Sequence, residues 1–80
     1  MELTVTGFGI AKDIFSAPEI EVTMDSGATV AALKTLLEGK YPTLAALKSY
    51  LVAVNCVYGT PATELKPGDE IALIPPVSGG

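Results

Sequence analysis

The stretch SGATVAALKTLLEGKYP, residues 26–42, decides the fold. Val30, Leu33, Leu37 and Tyr41 recur at i, i+3, i+7 and i+11, which is one stripe of an amphipathic helix. Thr29 or Ser26 can offer a side-chain oxygen to the first-turn amides, Gly39 lies near the end, and Pro42 forbids continuation. Lys34 and Glu38, four apart, are expected as a pair on the solvent side. A helix with a single apolar stripe needs one apolar surface to cover, and the segments around it supply a sheet.

Upstream, ELTVTGF alternates, with Leu3 and Val5 on one face and Thr4 and Thr6 on the other. GIAKDIFSAP reads as a short irregular segment between Gly9 and Pro18. EIEVTMD alternates again, so two strands about ten residues apart make a hairpin-like start. Downstream, TLAALKSY can add a helical turn, LVAVNCV reads as a strand, and YGTPATELKPGD is a loop with Pro-Gly-Asp turn chemistry. EIALIP is the last strand. Strand, strand, helix, strand, strand is an α+β order with one main helix to cover one sheet face. LVAVNCV and IALI are apolar on both alternating sets, and one helix buries only one set. The set left over, either Val52, Val54 and Cys56 or Leu51, Ala53 and Val57 in the first of these strands and either Ile71 and Leu73 or Ala72 and Ile74 in the second, falls to loops, a partner or solvent.

The totals narrow the function. The chain has 80 residues, no His, one Cys and a net charge of −4. Zinc sites built from several Cys or His ligands and catalysis by a histidine base are therefore excluded, and the expectation is no bound metal. An acidic chain with five scattered lysines argues against a nucleic-acid partner. No uninterrupted apolar run approaches the roughly 18 to 20 residues of a membrane span, and MELTVTGF does not read as a leader peptide. A cytoplasmic protein with no membrane partner is expected. Hydrophobic residues make up 49% of the chain against 18% charged, a balance that points to apolar surface reserved for a partner.

The chain closes with PPVSGG. Pro75 and Pro76 fix φ and disfavour helix before each ring, so the backbone leaves the last strand stiffly extended. Six residues reach at most roughly 20 Å, enough to carry a terminal carboxylate into another protein's active site. Gly79 and Gly80 have no Cβ and can pass a narrow channel. A free carboxylate is a poor electrophile, so acyl chemistry on Gly80 needs activation, most simply as an ATP-derived adenylate. The expected organisation is a domain over residues 1–76 and a flexible reactive tail over 77–80.

LKPGDEIALIPPVSGG, with AVN upstream and TGFGIAKDIF near the start, resembles the small subunits of molybdopterin synthase and, more broadly, the ubiquitin-like β-grasp sulfur carriers, the thiamine-pathway carrier included. The resemblance spans essentially the whole chain. It implies a mixed sheet of four to five strands packed on one main helix. It also implies a non-catalytic subunit with no active site and no bound cofactor of its own. Gly80 would be adenylated by a ubiquitin-activating-like adenylyltransferase that uses ATP. A sulfurtransferase would then supply the sulfur of a C-terminal thiocarboxylate. The synthase large subunit would use that sulfur to build the molybdopterin dithiolene. Gly79, Ser78, Val77, Pro76 and Pro75 match the tail that enters partner active sites, and Phe8 and Ile74 are expected at the partner interface.

One departure stands in VNCVYGT, where relatives often place a glycine after VN and this chain has Cys56. A longer or differently shaped hairpin is expected there, with Asn55 as a turn residue and Cys56 as inert core. Glu64, Asp69 and Glu70 are either partner contacts or a solvated rim. Three readings stay open: a sulfur carrier for molybdopterin or another pathway, a ubiquitin-like modifier conjugated to lysines through Gly80, and an interaction module with an idle terminus.

Overall fold

The computed structural model describes residues 1–47 and 49–75. In chain order the elements are β1 (Glu2–Gly7), α1 (Ile10–Phe15), β2 (Glu19–Thr23), α2 (Val30–Lys40), α3 (Pro42–Ala45), β3 (Leu51–Val54), β4 (Val57–Tyr58) and β5 (Glu70–Ile74). The strands form one sheet in the order β2-β1-β5-β3-β4. β1 pairs antiparallel with β2 and parallel with β5, and β5 pairs antiparallel with β3. This is the mixed-sheet β-grasp arrangement, with five strands and α2 as the main helix.

The helix stripe is the core. Val30, Leu33 and Leu37 of α2 are buried against Leu3 and Val5 of β1, Val22 of β2, Val52 of β3, and Ile71 and Leu73 of β5. Each fully buried aliphatic side chain contributes about 1.5–3 kcal/mol. Thr29 is the residue that caps α2, its side-chain oxygen accepting from the Ala32 amide at 3.3 Å. Pro42 opens α3 rather than extending α2, because proline suits a helix's first turn. The loop after β4 is anchored by Leu65, which is buried in the core, and the Leu65 amide donates to the Ala28 carbonyl.

Four expectations are corrected. GIAKDIFSAP is not irregular, because its residues Ile10–Phe15 form α1, with Ala11 and Phe15 buried. The helix packs close over β1, since a Cβ at Gly7 would stand 2.8 Å from Phe15 Cδ2. The hairpin after β3 is not longer but the tightest available: Val54 pairs with Val57, leaving Asn55 and Cys56 as a two-residue turn. Both turn residues have positive φ, 53° and 68°, the conformation that two-residue hairpins demand. Cys56 is accordingly exposed and not core. Finally, Lys34 and Glu38 do not simply face solvent, because they hold Tyr50. The Tyr50 hydroxyl donates to the Glu38 carboxylate, and Lys34 Nζ stands 4.6 Å from the centre of the ring. Burial, then the Glu38 carboxylate, pushes the Tyr50 hydroxyl well above the usual phenol range.

Candidate functional site

Strand alternation assigns the outer face of the sheet. Leu3, Val5, Ile71 and Leu73 point to the helices, so Glu2, Thr4 and Thr6 of β1 and Glu70, Ala72 and Ile74 of β5 point away. Register carries the face outward. Thr4 and Thr6 stand beside Glu21 and Glu19 of β2 on one side, and beside Glu70 and Ala72 on the other. Ile74 stands opposite Leu51, and Ala53 opposite Tyr58.

The parallel pairing of β1 with β5 makes both strands end at the same side of the molecule. The Phe8 amide continues the ladder by donating to the Leu73 carbonyl at 3.2 Å. Phe8 is 50% exposed and Leu51 49%, while Ile74 and Pro75 between and beyond them are half-buried. Phe8 and Ile74, expected at an interface, thus lie side by side where the chain leaves the sheet. Gly9 has φ 55° and ψ −128°, a backbone that suits glycine, and a Cβ there would lie 3.4 Å from Pro75 Cγ. The Pro75 ring therefore rests over the Gly9 backbone. Pro76, Val77, Ser78, Gly79 and Gly80 lie outside the described residues.

A hydrogen-bonded tie fixes the other end of the face. The Asn55 side-chain amide donates to Asp69 Oδ1 at 2.9 Å, and the Glu70 amide donates to Asn55 Oδ1 at 2.9 Å. Asp69 Oδ2 accepts from the Lys66 amide at 2.8 Å across a turn in which Gly68 has φ 86°. The Lys66 amide first, and then the Asn55 side chain, hold the Asp69 carboxyl below the usual range. Asn55 is thus a turn residue that also joins the β3–β4 hairpin to the start of β5. Between the two ends the face is a shallow hollow bordered by Thr4, Thr6, Phe8, Cys56 and Ala72.

Sequence reasoning did not single out Leu51, Tyr58 or Gly9. Tyr58 is 64% exposed on a two-residue edge strand, and the short loop-like context hid it. The signal for Leu51 was present in the doubly apolar strand, and only the register shows which set stays outside. Glu64, by contrast, pairs across an isolated bridge with Thr29 on the helix side, away from Phe8 and Ile74. Among the described residues, no group of three or more His, Cys, Asp or Glu is arranged to hold a metal ion. The arrangement is an open binding face beside the root of the C-terminal segment.

Comparison with known proteins gives this geometry a context. The profile of the ThiS family matches residues 5–80. The chain is 35% identical over 81 residues to the molybdopterin synthase sulfur carrier subunit of Arabidopsis thaliana, covering 100% of this chain and 84% of that protein. Among solved structures, SAMP1 from Haloferax volcanii superposes with a TM-score of 0.85 at 26% identity, covering 100% of both chains. A chain from the complex of subunits 1 and 2 of the molybdopterin-converting factor of Helicobacter pylori 26695 superposes with a TM-score of 0.71 at 28% identity, again over 100% of both.

Proposed function

The chain belongs to the ThiS family, and from that premise we propose that it is a sulfur carrier acting as the small subunit of a molybdopterin synthase. The observation that carries this reading is the full-length likeness to a sulfur carrier subunit of that enzyme. The geometry supports it, because an apolar cluster of the exposed Phe8 and Leu51 and the half-buried Ile74 adjoins the point at which the chain departs toward Gly80.

In this reading the domain is a handle and Gly80 is the reactant. A Gly80 carboxylate oxygen attacks the α-phosphorus of ATP on an adenylyltransferase, and pyrophosphate leaves. A sulfur nucleophile at the sulfide oxidation level, delivered by a sulfurtransferase, then attacks the acyl carbon and AMP leaves. The thiocarboxylate sulfur then attacks a carbon of a pterin precursor on the synthase large subunit and displaces an oxygen leaving group. Water cleaves the acyl–sulfur bond and returns Gly80 as a carboxylate, and two such deliveries complete a dithiolene. Gly79 and Ser78 are small enough to let the terminus reach enclosed active sites, and Val77, Pro76 and Pro75 guide the chain there. The carrier binds no metal or cofactor of its own, and a cytoplasmic setting fits an exposed thiol at Cys56.

Reconstitution tests the proposal. Incubated with ATP, an adenylyltransferase of this class, a sulfurtransferase and a sulfur source, the full chain should release AMP and gain the mass of one oxygen replaced by sulfur. A chain lacking Gly79 and Gly80 should do neither. High-molecular-mass conjugates to lysines, formed with ATP in lysate and without pterin-directed sulfur transfer, would overturn the reading in favour of a protein modifier.

A further inference from the structure

The outer sheet face is divided by charge. The full chain carries nine acidic residues and five lysines. Four of the acids, Glu2, Glu19, Glu21 and Glu70, are exposed on the outer face. The other five acids match the five lysines in number, so the net charge of −4 equals the charge of this one face. None of the five strands contains a lysine. Cross-strand neighbours usually pair opposite charges, and like charges on one face repel. Here Glu2 faces Thr23, and Glu19 and Glu21 face Thr6 and Thr4, so no cation on the sheet offsets the repulsion. A monomer gains nothing in stability from this pattern.

Position along the strands sorts the face further. Glu2, Glu21 and Glu70 lie at the end away from the tail root, Glu19, Thr6 and Ala72 form the middle row, and Phe8, Ile74 and Leu51 lie at the root. We infer that the two ends form one docking surface, and that it fits a protein face in which an apolar seat adjoins a row of lysines or arginines. A second copy of the chain does not fit, because two acidic ends would meet in any self-complementary pairing that aligns the apolar ends in parallel, and nucleic acid is repelled. The acidic end orients an approaching partner through its field, and the apolar end then places the tail root against the partner's surface.

The inference rests on the sulfur-carrier reading only for the proteins used to test it: a synthase large subunit and an adenylyltransferase from the same organism. Two variants with equal change in net charge separate this face from charge in general. The first is Glu2→Gln with Glu21→Gln and Glu70→Gln. The second is Asp13→Asn with Asp25→Asn and Glu64→Gln, all off the face. Circular dichroism should show both folded as the parent, since every position is exposed. At low ionic strength the first variant should bind each partner about tenfold more weakly, with a flattened salt dependence, and the second should stay within about twofold of the parent. Equal losses in both variants, or none in either, overturn the inference and leave the carrier reading standing. A parent chain that binds neither protein overturns both.

Discussion

Cys56 carries a β-carbon into a backbone conformation that suits glycine. With φ at 68° it occupies the second position of the β3–β4 turn, next to Asn55 at 53°. Asparagine tolerates this region, whereas most L-residues lose roughly 1–2 kcal/mol there. Cys56→Gly should therefore raise stability by about 1 kcal/mol, once the extra freedom glycine gives the unfolded chain is set against the relieved strain. Cys56→Val should lower it, because β-branched residues fit this conformation worst. Urea denaturation of the three proteins measures both. Asp69 offers a second test. Its folded-state carboxyl titrates below the free-chain value of about 3.9. Between those two values the unfolded chain binds more protons, so stability rises with pH across that window. The contribution is complete above about pH 4 and disappears as pH falls through the folded value. Asp69→Asn should flatten that part of the stability profile in acid titrations followed by circular dichroism.

Among the elements, α1 depends most on a single missing side chain. A Cβ at Gly7 would stand 2.8 Å from Phe15 Cδ2 and 3.0 Å from the Lys12 amide nitrogen. Gly7→Ala should force α1 away from β1 at a cost of about 2 kcal/mol, an overpacking effect. Hydrogen exchange should show α1 amides opening while those of β3 and β5 stay protected. At the other end of α2, Tyr50→Phe should cost about 1 kcal/mol by leaving the Glu38 carboxylate without its donor. The raised Tyr50 hydroxyl also predicts that stability falls as pH rises past the free phenol value of about 10, a loss the Phe variant would lack.

These elements differ in how far sequence reveals them. The α2 stripe is legible because its apolar residues repeat at helical spacing over eleven residues, with Thr29 before them and Pro42 after. α1 is not, because six residues hold less than two turns and its start at Gly9 has no side-chain cap. The β3–β4 turn misleads because Cys56 stands where glycine would announce it. Leu65 hides in a polar loop, its side chain in the core and its amide tied to the Ala28 carbonyl ahead of α2. The candidate site was half legible. The resemblance marked Phe8 and Ile74 for an interface, but their meeting depends on the parallel β1–β5 pair, which joins segments more than sixty residues apart. No local pattern encodes that distance.

At the scale of the whole molecule, the sheet separates two tasks. The helix face holds the core, and the outer face carries the four glutamates and the apolar cluster at the tail root. Phe8→Ser should therefore weaken partner binding at least tenfold while changing stability little, since half of the ring is already in water. Parallel measurements of affinity and thermal melting would separate these effects. No helix among the described residues is long and apolar enough to cross a membrane.

The measurement that tests the central claim most directly is an intact mass spectrum of the full chain isolated from its own cells with no tag on the C-terminus. The sulfur-carrier account predicts a fraction heavier by the exchange of one oxygen for sulfur, localised by fragmentation to Gly80 and lost when the activating enzyme is deleted. A population carrying only the plain carboxylate, unchanged after incubation with ATP, activating enzyme and a sulfur source, would contradict it.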